Sequence, residues 1–214
     1  MVDLGSCSTL SAALNGKDER KKIFMRGLIA IVIAAIILGG PVPPAMADGS
    51  VTGQTVIDDF TKRPETRWRF FTDQVMGGVS TGGVAFAQDD GTPYARMTGR
   101  VSIANRGGFI QMRFDLSSPP PEGTTGVRLV VRGNGQRYFV HLRTSGTVLP
   151  WQYYQAGFDV TQSWSEVRLP LGSFTASGAL MRRLPQPPSL RSIAVVAFGR
   201  DHDAQIDVRE VSFY

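Results

Sequence analysis

After Asp48 the sequence predicts an all-β protein, an antiparallel sandwich or barrel. Three observations predict it. Short runs rich in Val, Ile, Phe, Tyr and Arg recur, separated by Gly, Pro, Asn and Ser. Several runs alternate with the two-residue period of a half-buried strand. No long helical period follows Asp48, so the crossover helices that a parallel sheet requires are missing.

The strands are expected in order at 55–60 (TVIDDF), 67–72 (RWRFFT), 83–87 (GVAFA), 94–103 (YARMTGRVSI) and 108–115 (GFIQMRFD). They continue at 126–132 (GVRLVVR), 137–143 (RYFVHLR), 152–159 (QYYQAGFD), 165–170 (SEVRLP), 192–199 (SIAVVAFG) and 205–213 (QIDVREVSF). Alternation is clear in two of them. Tyr138, Val140 and Leu142 share one face, opposite Arg137, Phe139, His141 and Arg143. Ile110, Met112 and Phe114 likewise oppose Phe109, Gln111 and Arg113. Asn134-Gly135 supplies the positive φ of a tight turn between two strands. The Pro-rich stretches 117–126 and 182–189 read as loops.

Residues 1–47 read as a leader, followed by one β-sandwich domain over 48–214. Lys21, Lys22 and Arg26 precede the uncharged run GLIAIVIAAIILGG at 27–40, and Ala45-Met46-Ala47 supplies a small-x-small end. These are the parts of a secretory signal peptide, with cleavage expected after Ala47. The run has 14 residues, short of the ~18–20 that cross a bilayer as a helix. Met25 begins a compact signal by itself and is the expected start. The protein is therefore expected to be exported, to a periplasmic or extracellular space.

The formal net charge is +5, and five Lys/Arg against three Asp/Glu in residues 1–47 account for +2 of it. The remaining +3 is too small for a dedicated nucleic-acid binder, so no nucleic-acid partner is expected. The only cysteine, Cys7, lies in the leader, which leaves the domain no disulfide, Cys metal site or thiol nucleophile. From Asp48 onward Lys62 is the only lysine, and every other basic residue is arginine.

The stretch DQVMGGVSTGG at 73–83 has the look of a phosphate-cradling loop. It lacks the lysine of a P-loop and runs into a strand instead of a helix, so turns are its expected use. Asp201-His202-Asp203 carries residue types that ligate zinc or calcium, and fits a polar hairpin tip equally. His141 lies within a strand and is expected to be structural. The adjacent acid pairs Asp58-Asp59 and Asp89-Asp90 read as turn and edge residues. With no catalytic motif recognised, no enzyme activity and no cofactor are expected. Trp151, Tyr153, Tyr154, Phe158 and Trp164 fall within fourteen residues. Phe158 and Trp164 are expected in the core, while Trp151, Tyr153 and nearby Arg143 are the candidate binding residues.

An ordered set of short motifs then carries a resemblance. Trp68 precedes Asp73, Val75-Met76-Gly77-Gly78 and Ser80. Asn105, Gly107-Gly108-Phe109, Gly133, Gly135 and Tyr138 follow. Tyr154, Ala156, Phe158, Trp164, Val167, Leu169-Pro170 and Phe174 complete it. This order resembles the complex I intermediate-associated protein 30 family, from about Thr55 to Tyr214. The resemblance implies a galactose-binding-domain-like jelly roll. It also implies a non-catalytic assembly factor, because mitochondrial members act as chaperones for the respiratory NADH:ubiquinone oxidoreductase. This chain carries an export-type leader in place of a mitochondrial presequence. The expected partner is a protein, including one in a membrane-associated complex, and carbohydrate is the alternative.

Overall fold

The alternation read in residues 109–114 and 137–143 is what builds the core. A computed structural model describes residues 53–214. The leader at 1–47, the cleavage after Ala47 and the start at Met25 lie outside the described residues.

Two antiparallel sheets face each other. The first contains β1 (Thr55–Asp58), β3 (Thr81–Asp89), β4 (Thr92–Val101), β6 (Gly126–Gly133), β9 (Ser165–Pro170) and β12 (His202–Phe213). Its order is β3-β4-β12-β6-β9, with β1 pairing β12. The second contains β2 (Trp68–Thr72), β5 (Phe109–Asp115), β7 (Arg137–Thr144), β8 (Tyr154–Asp159), β10 (Thr175–Ala176) and β11 (Leu190–Phe198). Its order is β10-β8-β7-β11-β5-β2.

Alternate positions send Met97, Leu129, Ile206 and Val208 inward from the first sheet. Ile110, Met112, Val140, Leu142, Ile193 and Val195 meet them from the second, and all ten are fully buried. Each such side chain contributes about 1.5–3 kcal/mol. The fold is thus the expected β-sandwich, with twelve strands where ten or eleven were expected.

Three differences have physical reasons. β10 has two residues, too short to show a period. The strand expected at 205 begins at His202, because its partner β4 extends the ladder to Val101. The turn at Asn134-Gly135 does not close a hairpin: β6 and β7 belong to different sheets, so it carries the chain from one layer to the other. Gly135 takes φ 74° there. Tyr138 fastens this corner. Its hydroxyl donates to Asn134 Oδ1 at 2.8 Å and accepts from Gln205 N at 2.8 Å. Burial pushes the Tyr138 phenol up to about 12.

Candidate functional site

Part of the motif set, Gly78, Ser80, Gly107, Gly108 and Phe109, assembles around the buried carboxylate of Asp73. Asp73 opens the 3-10 turn Asp73–Met76 after β2, where Thr72 Oγ1 accepts from Gln74 N. Asp73 Oδ1 accepts from Ser80 N at 2.9 Å, and Oδ2 accepts from Ser80 Oγ at 2.5 Å. Oδ2 also accepts from Gly108 N at 2.5 Å and Phe109 N at 3.3 Å. Ser80 Oγ in turn accepts from Ser102 N at 2.9 Å. Burial opposes ionisation of Asp73. The hydrogen bonds from Ser80, Gly108 and Phe109 outweigh it and hold the pKa below the ordinary carboxylate value.

This geometry explains the glycines. Gly77 turns the chain at φ 89°. A Cβ on Gly78 or Gly107 would collide with the Asp73 carboxylate. Asn105 holds a left-handed φ of 55° in the turn Ala104–Arg106 that presents Gly108. Trp68 is buried at the far end of β2, donating Nε1–H to Asp58 Oδ2 at 2.7 Å. Asp58 is therefore a buried tie and not an edge residue. While Asp73 faces inward, Val75, Met76, Val79 and Ile103 stay 71, 59, 47 and 53% exposed.

The outward face of the second sheet holds another cluster. His141 stacks on Tyr153 at 3.9 Å between ring centroids, and Phe198 meets both edge-on. His141 Nε2 lies 2.8 Å from Gln155 Oε1, a carbonyl oxygen, so this nitrogen is the donor. Burial brings the imidazole down to about 4, partly opposed by the Gln155 bond. Arg143 donates to Thr147 O and Leu149 O, each at 3.1 Å, and so holds the loop between β7 and β8. That loop exposes Val148, Leu149 and Trp151. The structure thus separates the candidate binding residues: Tyr153 packs on the sheet face, whereas Trp151 stands 60% exposed on the loop.

Two other sequence expectations fall in defined places. Asp201 Oδ1 accepts from Ile103 N at 2.8 Å, His202 Nδ1 lies 2.8 Å from Arg200 O, and Asp203 lies 3.8 Å from Arg100. Among the described residues no three ligand-type side chains group to hold a metal ion. Phe158 is in the core as expected, but Trp164 is not. Arg132 and Arg209 lie 4.5 and 4.1 Å from its ring, outside the core cluster. Sequence reasoning missed Phe198, Arg69 and Arg113 as companions of His141 and Arg143 on the second sheet's outward face. The outward phase of GFIQMRFD was the signal available for Arg113.

The profile of the family "Complex I intermediate-associated protein 30" matches residues 58–205. No curated protein matches the sequence. Among solved structures, the family 11 carbohydrate-binding module of the cellulosomal cellulase Lic26A-Cel5E of Clostridium thermocellum is similar in fold. It has a TM-score of 0.62 and 12% identity over 75% of this chain and 94% of the module. The family 11 module from Clostridium thermocellum in complex with a β-1,3-1,4-mixed-linked tetrasaccharide gives 0.61 and 12%, over 75% and 95%. At this identity the likeness is one of fold. The profile match covers most of the sandwich and includes the Asp73 tie with its glycines. The chain belongs to the complex I intermediate-associated protein 30 family.

Proposed function

We propose that this chain is an exported, non-catalytic binding protein that assists the assembly of a protein complex. One observation carries the reading. Asp73 fixes a turn from within, yet Val75, Met76 and Val79 remain exposed on it, and Ile103 is exposed on the neighbouring turn. Apolar side chains held rigidly in water suit contact with a partner, because little ordering entropy is lost on binding. Family membership supports an assembly role, and the leader supports export. Photo-crosslinking pulldown from membranes is the test, since Lys62 is the only lysine after Asp48. A reproducible protein partner, lost on combined Val75→Ser, Met76→Ser and Val79→Ser substitution, is expected. Recovery of no partner, or an unchanged partner with the substituted protein, overturns the proposal.

A second reading, carbohydrate binding, is favoured by the aromatic cluster of His141, Tyr153 and Phe198 beside Gln155. Aromatic rings flanked by amides suit sugar rings and hydroxyls. A glycan array with the wild type and Tyr153→Ala checks it. Binding lost in the variant is expected, and no binding to any glycan removes the reading.

A further inference from the structure

We propose that the outward face of the second sheet binds an acidic glycan, a sugar chain carrying carboxylates. This rests on the carbohydrate reading above and names its ligand class.

The strand register places the groups. Arg69 pairs with Arg113, Arg113 with Ala194, Ala194 with His141, and His141 with Gln155, so these form one row across five strands. The next row contains Asp115, Ser192 and Arg143. The preceding row contains Phe71, Gln111, Val196 and Phe139. Strand β11 contributes the small, buried side chains Ser192, Ala194 and Val196 to this face and, at its end, Phe198. Longer side chains from β5 and β7 flank and cover these three small residues, and this band along β11 is the trough of the proposed site.

The charge in the trough is unbalanced. Three guanidinium groups, Arg69, Arg113 and Arg143, face one carboxylate, Asp115. Asp115 is shared by Arg69 and Arg113. Arg113 Nε lies 3.2 Å from Asp115 Oδ1 but makes no hydrogen bond. The Arg143 partners are neutral carbonyls. His141 is uncharged near neutral pH, so it neither adds to the surplus nor offsets it. The Arg113 guanidinium stacks 4.7 Å from the Phe71 ring centroid. A guanidinium fork fits a carboxylate with two parallel hydrogen bonds. Gln111 on the same strand and Gln155 across β11 and β7 suit hydroxyls, and Tyr153, stacked on His141, suits a pyranose face. A uronate chain presents carboxylate, hydroxyl and ring together, and so fits the trough better than a chain of one chemistry.

Calorimetric titration of the purified protein tests this with four probes: oligogalacturonate, oligomannuronate, a neutral β-1,3-1,4-glucan oligosaccharide and a poly-glutamate peptide. At least one uronate probe is expected to bind. Its affinity should fall about tenfold or more in Arg113→Gln, and fall again as salt rises from about 50 mM to about 500 mM. Tyr153→Ala, on the same face, should weaken it as well, and thermal melts establish that both variants fold. Neutral glucan bound as tightly as uronate keeps the carbohydrate reading and overturns the acidic ligand. No binding to any sugar overturns both. Poly-glutamate bound as tightly as uronate assigns the trough to acidic protein segments and overturns the glycan. Uronate affinity unchanged in a folded Arg113→Gln overturns the site.

Discussion

The two outward faces of the sandwich use arginine in opposite ways. On the first sheet, Arg96 and Arg132 converge on the buried Asp207 at 2.7 and 2.8 Å, and Arg132 also reaches Asp89 at 2.7 Å. Arg128 pairs with Glu166 at 2.7 Å and with Glu210. Arg132 also lies 5.4 Å from the Tyr94 ring and 4.5 Å from that of Trp164. On the second sheet, Arg137 pairs with Asp159 at the β7–β8 edge, but Arg69 and Arg113 share the single Asp115 and Arg143 bonds only to carbonyls. The pKa directions follow. Bonds to Asp207 raise Arg96, whereas burial and then the charges of Arg69 and Arg143 lower Arg113. Cations with their own carboxylates stabilise a sheet. Cations without them leave a face open to an outside anion.

That contrast breaks most directly at Asp207. Asp207→Ala leaves Arg96 and Arg132 without their shared carboxylate and should destabilise the protein by ~3–5 kcal/mol in urea denaturation. A loss below about 1 kcal/mol would make the first face as dispensable as the second.

The pH dependence separates the faces next. His141 on the second face binds protons in the unfolded chain near 6.5 but in the folded chain only near 4. Stability is therefore intact above 6.5 and falls as pH drops towards 4, by about 3 kcal/mol at most. On the first face, burial of Asp207 opposes its charge, but Arg96 and Arg132 outweigh it and lower the pKa. Its contribution is present above 3.8 and fades only as pH falls below that value. Melts of wild type and His141→Gln between pH 7 and 4 should differ in slope, and parallel curves would contradict the assignment.

Asp73 joins the two sheets at their shared end. Asp73→Asn replaces one charged acceptor oxygen with a donor and should cost about 2 kcal/mol, read by chemical denaturation. An unchanged midpoint would mean that the glycines alone hold the turn. The smallest effect is expected from Arg113→Met, which keeps the packing on Phe71 and removes a disfavoured charge. Its stability should lie within about 0.5 kcal/mol of wild type, or above it, in the same assay. A large loss would show that the second face is structural too.

Much of the layer assignment was legible before any coordinates. Residues 109–114 and 137–143 alternate, so Met112, Val140 and Leu142 declare themselves as core and Arg113, His141 and Arg143 as outward. The role of Asp73 and Ser80 was also readable, because both flank a glycine turn. The rest depends on long-range contacts. Arg96 and Asp207 stand 111 residues apart, and Arg132 and Asp207 stand 75 apart, so no local pattern joins them. Trp164 reads as core by its type, but the arginines that cover it come from β6 and β12. The turn at Asn134-Gly135 is correct as a local conformation, yet φ at one glycine does not say which sheet the next strand joins.

The proposed binding runs along the second sheet and the Met76 loop, while the first sheet is stabilised from within. Site-specific photo-crosslinking in intact cells tests it most directly. A benzophenone side chain is placed in turn at Met76, Gln111 and, on the outward face of β4, Thr98. Discrete adducts are expected from Met76 or Gln111 and none from Thr98. Adducts from Thr98 alone would contradict the proposed binding.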